Sequence, residues 1–96
     1  MKPSIALAQH KETIKQIVVR HNAVNVRVFG SVLEGEDQEG SDLDLLVDPT
    51  EQTTLFDIGA IRHELLQLLD VPVDVLTPNA LPESFRAQII AQAQPL

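Results

Sequence analysis

Two short apolar segments of this chain carry aspartate where strands are expected. The first reads Asp42-Leu43-Asp44-Leu45-Leu46-Val47 and the second reads Val73-Asp74-Val75. Aspartate is depleted in strands because its short polar side chain packs poorly on a pleated surface. Violations of such local rules are expected at functional sites. These three carboxylates therefore constrain both the fold and the function.

The spacing of apolar residues predicts three main helices. The first spans residues 4–21, which contain no Gly or Pro. The second begins after Thr53 or Thr54 and ends before Pro72. The third begins near Pro82 and is expected to pack on the core through its apolar side chains Phe85, Ile89 and Ile90.

A further strand precedes the aspartate-bearing segments. Val24 to Phe29 alternates apolar and polar residues until Gly30, which predicts a strand with one buried face. A helical crossover, such as the one between the two aspartate-bearing strands, joins parallel strands. We therefore expect an α/β (α+β) fold in which a small mixed sheet of three or more strands is flanked by helices. The direction of the first strand relative to the second stays open at this point.

Length and charge indicate the number of domains and the location of the acidic surface. A chain of 96 residues predicts one domain over residues 1–96. Its net charge of −7 belongs to one segment, because seven acids and no bases lie between Glu34 and Asp48. Three of these acids, Glu36, Asp37 and Glu39, predict a loop beside the site whose negative charge is uncompensated within the chain and which faces a basic partner.

Several functions are disfavoured by composition. The seven Lys and Arg residues form no stripe and the three Phe residues are separated, so direct nucleic-acid binding is not expected. The longest apolar run is four residues, whereas a membrane span needs roughly 20. Zero cysteines fit a reducing compartment. We expect a cytoplasmic protein without a membrane partner.

The aspartates themselves indicate a cation. Asp42 and Asp44 leave the same face of a strand roughly 6.5–7 Å apart, and Asp74 can join them from a neighbouring strand. Ionised carboxylates at such spacings repel each other by about 3 kcal/mol per pair. Oxygen ligands without His or Cys favour a hard cation, and a site with room for phosphates suits Mg²⁺. The alternative is that these residues only make an edge strand soluble.

Gly30 and Ser31 follow the first strand and begin a helical turn. Ser31 and Glu34 match a capping box, in which the serine side chain caps the turn. Backbone N–H groups at the start of such a turn can bind an anion. The same residues could serve only to turn and cap the chain.

The combined spacing of these motifs resembles the nucleotidyltransferase superfamily with the DNA polymerase β type of catalytic core. The resemblance rests on Phe29-Gly30-Ser31, the Asp42 to Val47 segment and Val73-Asp74-Val75. A chain this short is similar to the minimal nucleotidyltransferase (MNT) family, whose members pair with HEPN-domain proteins in toxin–antitoxin systems. The likeness covers roughly residues 20–96.

This resemblance implies transfer of AMP from ATP to a tyrosine of a cognate HEPN ribonuclease toxin, which the modification silences. Gly30 and Ser31 would bind the nucleotide triphosphate. Asp42, Asp44 and Asp74 would form the catalytic and metal-binding triad and hold Mg²⁺, with two ions expected. The antitoxin and its toxin would form a hetero-oligomer.

One residue departs from the pattern, because many relatives carry Arg where this chain has Glu34. Compensation of the triphosphate charge would then rest on metal, on backbone N–H groups, or on Arg27, Arg62 or Arg86. Two alternatives to the protein adenylyltransferase stay open. One is a non-catalytic antitoxin that neutralises its partner by occlusion, and the other is a nucleotidyltransferase subunit acting on a small molecule.

Overall fold

A four-stranded mixed sheet organises the chain, of which a computed structural model describes all residues from Met1 to Leu96. The strands lie in the order β3-β2-β1-β4. They are β1 (Ala23–Phe29), β2 (Leu43–Pro49), β3 (Val73–Leu76) and β4 (Gln94–Pro95). The helices are α1 (Pro3–Gln9), α2 (Lys11–Arg20), α3 (Gly30–Glu34), α4 (Leu55–Leu69) and α5 (Glu83–Gln92), with a 3₁₀ turn at Pro78–Ala80.

The predicted mixed sheet with flanking helices is confirmed. Strands β2 and β3 are parallel and are joined by α4, whereas β1 is antiparallel to β2. Thr54 caps α4, and its side chain and that of Asp57 form a reciprocal capping box. The capping box accounts for the start of α4, and Pro72 follows its end as expected.

The two faces of the sheet pack against different hydrophobic clusters. On one face, Leu43, Leu45 and Val47 pack with Val73 and Val75 beneath the helices in the main hydrophobic core. On the other face, a smaller cluster forms around Leu46, which packs with residues of the C-terminal segment such as Leu81 and Ala93. The smaller cluster leaves part of this second face open.

The predicted helix over residues 4–21 is two helices, because the chain breaks at His10 (φ −125°, ψ 20°). Nothing in the local sequence indicates this break. It allows α1 to contact α4 and β2 while α2 packs on β1. None of these helices is long and apolar enough to cross a lipid bilayer.

The predicted alternation in β1 is interrupted by a bulge. Val24 pairs with Asp48 and Arg27 with Leu46, so β1 holds one extra residue at this point. Asn25 has a positive φ of 55°, a conformation that Asn tolerates better than most residues. Val24 is consequently exposed, whereas Val26 and Val28 remain in the core.

The C-terminal segment differs most from expectation. Helix α5 has no fully buried residue, and Phe85, which was expected to pack inward, is 55% exposed. Ile89 is half-buried against the smaller cluster. The chain then adds the short strand β4 next to β1, a pairing that no local sequence pattern predicts.

The acidic loop is partly neutralised within the chain, which contradicts the expectation of a wholly unpaired loop. Asp37 is buried and accepts a 2.8 Å hydrogen bond from the backbone N–H of Ser4. Glu39 pairs with the N-terminal amine of Met1 at 2.7 Å. Asp37 therefore caps α1 from a distant part of the sequence, and Glu36 is the one of the three whose side chain has no partner in the chain.

We expect Asp37→Ala to lower the melting temperature by about 5 °C near neutral pH, because the N terminus of α1 loses its acceptor. The Ser4 N–H group holds the pKa of Asp37 below its ordinary value of 3.8. This stabilisation is therefore present above pH 3.8 and is lost as the pH falls through the lowered pKa. Circular-dichroism melts across this range measure both effects. A comparable loss in Glu36→Ala would contradict the assignment.

Candidate active site

The three predicted aspartates lie at one end of the sheet. Asp44 on β2 and Asp74 on β3 are register partners in the parallel pair, and neighbouring strands are about 4.8 Å apart. A 2.8 Å hydrogen bond from the Leu43 N–H to the Pro72 carbonyl fixes this register where β3 begins. Asp42 directly precedes β2. Strand alternation directs all three side chains to the face opposite the main core.

At Gly30 the backbone of the chain lies directly against one of these carboxylates. Phe29 is the register partner of Asp44, so the turn into α3 begins beside it. Gly30 has a φ of +73°, and a Cβ at this position would overlap the Asp44 carboxylate. Both constraints select glycine. The structure therefore brings Gly30 into the same site as Asp44 and Asp74.

Ser31 lies in the first turn of α3, but the predicted capping box is wrong. Helix α3 begins at Gly30 with Phe29 as its N-cap residue, and no side-chain hydrogen bond caps it. With the positive φ of Gly30, the turn starts two residues earlier than the motif requires. The Ser31 hydroxyl is left free to donate to a ligand, and the first N–H groups of a helix have no partner within it.

Burial and like charge destabilise the ionised form of Asp44. Partial burial, together with the nearby charges of Asp74 and Asp42, raises the pKa of Asp44 to about 6. Asp42 and Asp74 are exposed, so solvent reaches them from the open side. The cost of ionising the site therefore falls mainly on Asp44.

No basic side chain forms an ion pair with these three aspartates. The three candidate arginines are engaged elsewhere. Arg27 is buried and pairs with Asp48, while Arg62 donates to the Val73 carbonyl at 3.1 Å. Arg86 donates to the carbonyls of Pro78 and Leu81 at 2.9 and 3.0 Å. The sequence alone could not exclude these arginines, because their partners are mostly backbone carbonyls.

The donor set fits a hard divalent cation that keeps other ligands. No three acidic or histidine side chains converge closely enough to hold an ion by themselves. Mg²⁺ does not require such a cage, because it usually retains several waters and binds one or two carboxylates together with substrate phosphates. Asp44 with Asp42 or Asp74 can supply those carboxylates. Their roles as metal ligands and catalytic residues stay predictions.

A groove of about 370 Å³ opens beside the site, between α3 and α5. Gly30 and Glu34 line one wall, and Phe85, Gln88 and Gln92 line the other. Sequence reasoning assigned Phe85 to the core and did not consider the two glutamines. Phe85, Gln88 and Gln92 are spaced i, i+3 and i+7, which places them on one face of a helix. This spacing is the feature of the sequence that could have indicated a shared surface.

The sequence of this chain matches a known family over most of its length. The profile described as Polymerase beta, Nucleotidyltransferase matches residues 12–96. A Methanocaldococcus jannaschii protein provisionally named a protein adenylyltransferase (MJ0435) is 34% identical over 86% of this chain and 89% of its own length. Protein adenylyltransferase MntA of Thermococcus cleftensis is 29% identical over 90% of this chain and 84% of its own. The chain belongs to the polymerase β nucleotidyltransferase family.

A comparison with solved structures identifies the group within this family that the chain resembles. A protein provisionally described as a minimal nucleotidyltransferase superposes with a TM-score of 0.86 at 42% identity, covering 97% of this chain and 95% of that one. The resemblance to the minimal group and the expectation of a nucleotidyltransferase are thus confirmed.

Two toxin–antitoxin complexes share the fold at TM-scores of 0.66 and 0.67, with 17% and 16% identity. They cover 84% and 92% of this chain, and 70% and 69% of the matched chains. One contains AMP-PNP, and the other holds a tri-AMPylated Shewanella oneidensis HEPN toxin with an MNT antitoxin. Because the identity is so low, these two complexes show a shared fold and nothing further about this chain.

We predict that Gly30→Ala abolishes nucleotide binding. The added methyl group would overlap the Asp44 carboxylate and displace it from the site. Gly35→Ala is the matched control, because Gly35 has the same φ of +73° but open space around it. Both substitutions cost about 1 kcal/mol because they place alanine in the left-handed conformation. The melting temperature should therefore fall in both variants. Calorimetric titration with ATP and Mg²⁺ should show lost binding in Gly30→Ala alone; equal losses would contradict the overlap.

We also expect Asp44→Asn to stabilise the metal-free protein at alkaline pH. Because the pKa of Asp44 rises from 3.8 to about 6 on folding, its ionised form opposes folding above pH 6 and has no effect below 3.8. The gain is at most about 3 kcal/mol and smaller in practice, because the carboxyl group is partly exposed. Denaturant unfolding between pH 4 and pH 8 measures it. Mg²⁺ should stabilise the wild type most at the alkaline end, whereas a pH-independent difference would contradict this account.

Proposed function

We propose that this chain is a Mg²⁺-dependent protein adenylyltransferase that transfers AMP from ATP to a tyrosine hydroxyl of a HEPN-domain ribonuclease toxin, and so acts as an antitoxin. The proposal places the reaction in the cytoplasm and the enzyme in a hetero-oligomer with its toxin. Its main support is one observation. Asp44, Asp74 and the Gly30 turn lie at the same end of the sheet, and no basic side chain of the chain neutralises them.

The proposed reaction breaks a phosphoanhydride bond of ATP and forms a phosphoester bond to tyrosine. The tyrosine oxygen attacks the α-phosphorus of ATP, the bond between that phosphorus and the α,β-bridging oxygen breaks, and pyrophosphate leaves. The hydroxyl proton must go to a base, and Asp74 is the exposed carboxylate next to Asp44 that could accept it. The product is an AMP ester of tyrosine.

The remaining residues bind and orient the triphosphate. The N–H groups at the start of α3 and the Ser31 hydroxyl donate hydrogen bonds to phosphate oxygens. Asp42 and Asp44 would hold Mg²⁺, which in such sites offsets the charge of the attacking and leaving oxygens. The absence of a free arginine makes this cation the main source of positive charge in the site. Glu34 adds no positive charge to the site.

The partner is supported by the comparisons rather than by the geometry. The Thermococcus relative is protein adenylyltransferase MntA. The Shewanella complex pairs an MNT antitoxin of the same fold with an AMPylated HEPN toxin. A tyrosine acceptor is consistent with the exposed position of Asp74 on the edge strand β3, where a second protein can approach.

We expect the double variant Asp42→Asn/Asp44→Asn to lose transfer of label from α-³²P-labelled ATP to the toxin by several orders of magnitude. The variant removes the carboxylates proposed to bind the cation while conserving side-chain size. Asp70→Asn is the matched control, because Asp70 is exposed and its positive φ of 54° suits Asn equally well. Full labelling by the double variant would refute the catalytic assignment.

The same variant separates this function from the two alternatives. If the protein acts only by occlusion, the double variant should still protect cells from the toxin whenever it still binds it. If a small molecule is the acceptor, labelled AMP should appear in a soluble product and not on the toxin. Mass spectrometry of the toxin locates the modified residue, and a modification on any residue other than tyrosine would correct the acceptor.

A further inference from the structure

We infer that the groove between α3 and α5 binds the nucleoside part of the nucleotide, with Phe85 stacking on the base. This inference rests on the proposed function, because it assumes that a nucleoside triphosphate occupies the neighbouring site. It goes further by assigning a role to residues of α5. The groove has a volume of about 370 Å³, within the range of small-molecule sites.

Continuity with the phosphate site is the first argument. Gly30 lines the groove, and the same residue lies against the Asp44 carboxylate. A ligand whose phosphates lie at the start of α3 therefore has the groove as its adjacent recess. The other two recesses of the surface are lined by different parts of the chain, around Val19 and around Pro95.

The chemistry of the walls is the second argument. Phe85 is 55% exposed, although an aromatic side chain at this point of a helix could have packed inward. Gln88 and Gln92 follow it along the groove and offer amide donors and acceptors for the edge of a base. An aromatic face beside amide groups suits a flat heterocycle.

Charge sets the direction of the ligand. Glu34 is the one charged residue that lines the groove, so the groove disfavours a triphosphate. A neutral nucleoside is compatible with this carboxylate, which can accept hydrogen bonds from ribose hydroxyls. The phosphates then lie at the Gly30 end, beside the cation, and the base lies along α5. Glu34 is thereby assigned to the ribose side of the site.

The test compares ATP with inorganic tripolyphosphate, which has the same phosphates without a nucleoside. Both are titrated calorimetrically with Mg²⁺ in the absence of any acceptor protein. Phe85→Ala should weaken ATP binding at least about fivefold, since base–aromatic stacking is worth about 1–3 kcal/mol. It should leave tripolyphosphate binding unchanged. Phe85→Trp should retain the affinity for ATP, and Phe56→Ala, at a 90% exposed phenylalanine outside the groove, should change neither ligand.

Each other result overturns a defined part of this account. Unchanged ATP affinity in Phe85→Ala overturns the groove assignment and leaves the proposed function intact. Equal weakening of ATP and tripolyphosphate also overturns it, because the substitution would then act on the phosphate site. If Phe85→Ala spares ATP binding but weakens capture of the toxin, the groove belongs to the protein partner. No ATP binding by the wild type would overturn the proposed function and this inference with it.

Discussion

The parallel pairing of β2 with β3 is the contact on which the rest of the site depends. It places Asp44 and Asp74 on adjacent strands in the same register, although their charges repel. Leucine and valine side chains on the opposite face offset this repulsion. Leu43, Leu45 and Val47 are fully buried beneath the helices, so a shift of β2 by one residue would expose them and bury the aspartates. The core thus fixes the register that brings the charges together.

The acidic segment divides into residues with structural and with functional roles. Asp37 caps α1, and Asp48 holds the β1 bulge through Asn25 and the buried Arg27. These carboxylates have partners within the chain. Asp42 and Asp44 have no basic partner, and Asp44 has a raised pKa of about 6. The contrast within one short segment argues that the unpaired aspartates are retained for a ligand, since the fold itself gains nothing from their charge.

Local patterns in the sequence were sufficient to predict the central strands and the crossover helix. Alternation around Asp44 and Asp74, together with the Thr54 cap and Pro72, led to the parallel pair. The remaining features depend on contacts between distant residues. The break at His10 and the β1 bulge have no local signal apart from Asn25, which tolerates positive φ. The exposure of Phe85 could not be predicted either, because helical periodicity does not distinguish a core face from a ligand-binding face.

The contacts of the three arginines leave the proposed triphosphate site without a free positive side chain. In Arg27, Arg62 and Arg86 at least one guanidinium nitrogen bonds to a backbone carbonyl, and Arg62 does so at Val73, on the outer edge strand β3. These bonds stabilise the bulge, the sheet edge and the turn before α5. Under the proposed function, charge compensation would come from a divalent cation that binds with the ligand and from the N–H groups of α3. In such an arrangement the cation and the nucleotide bind together, because each supplies ligands or charge that the other needs.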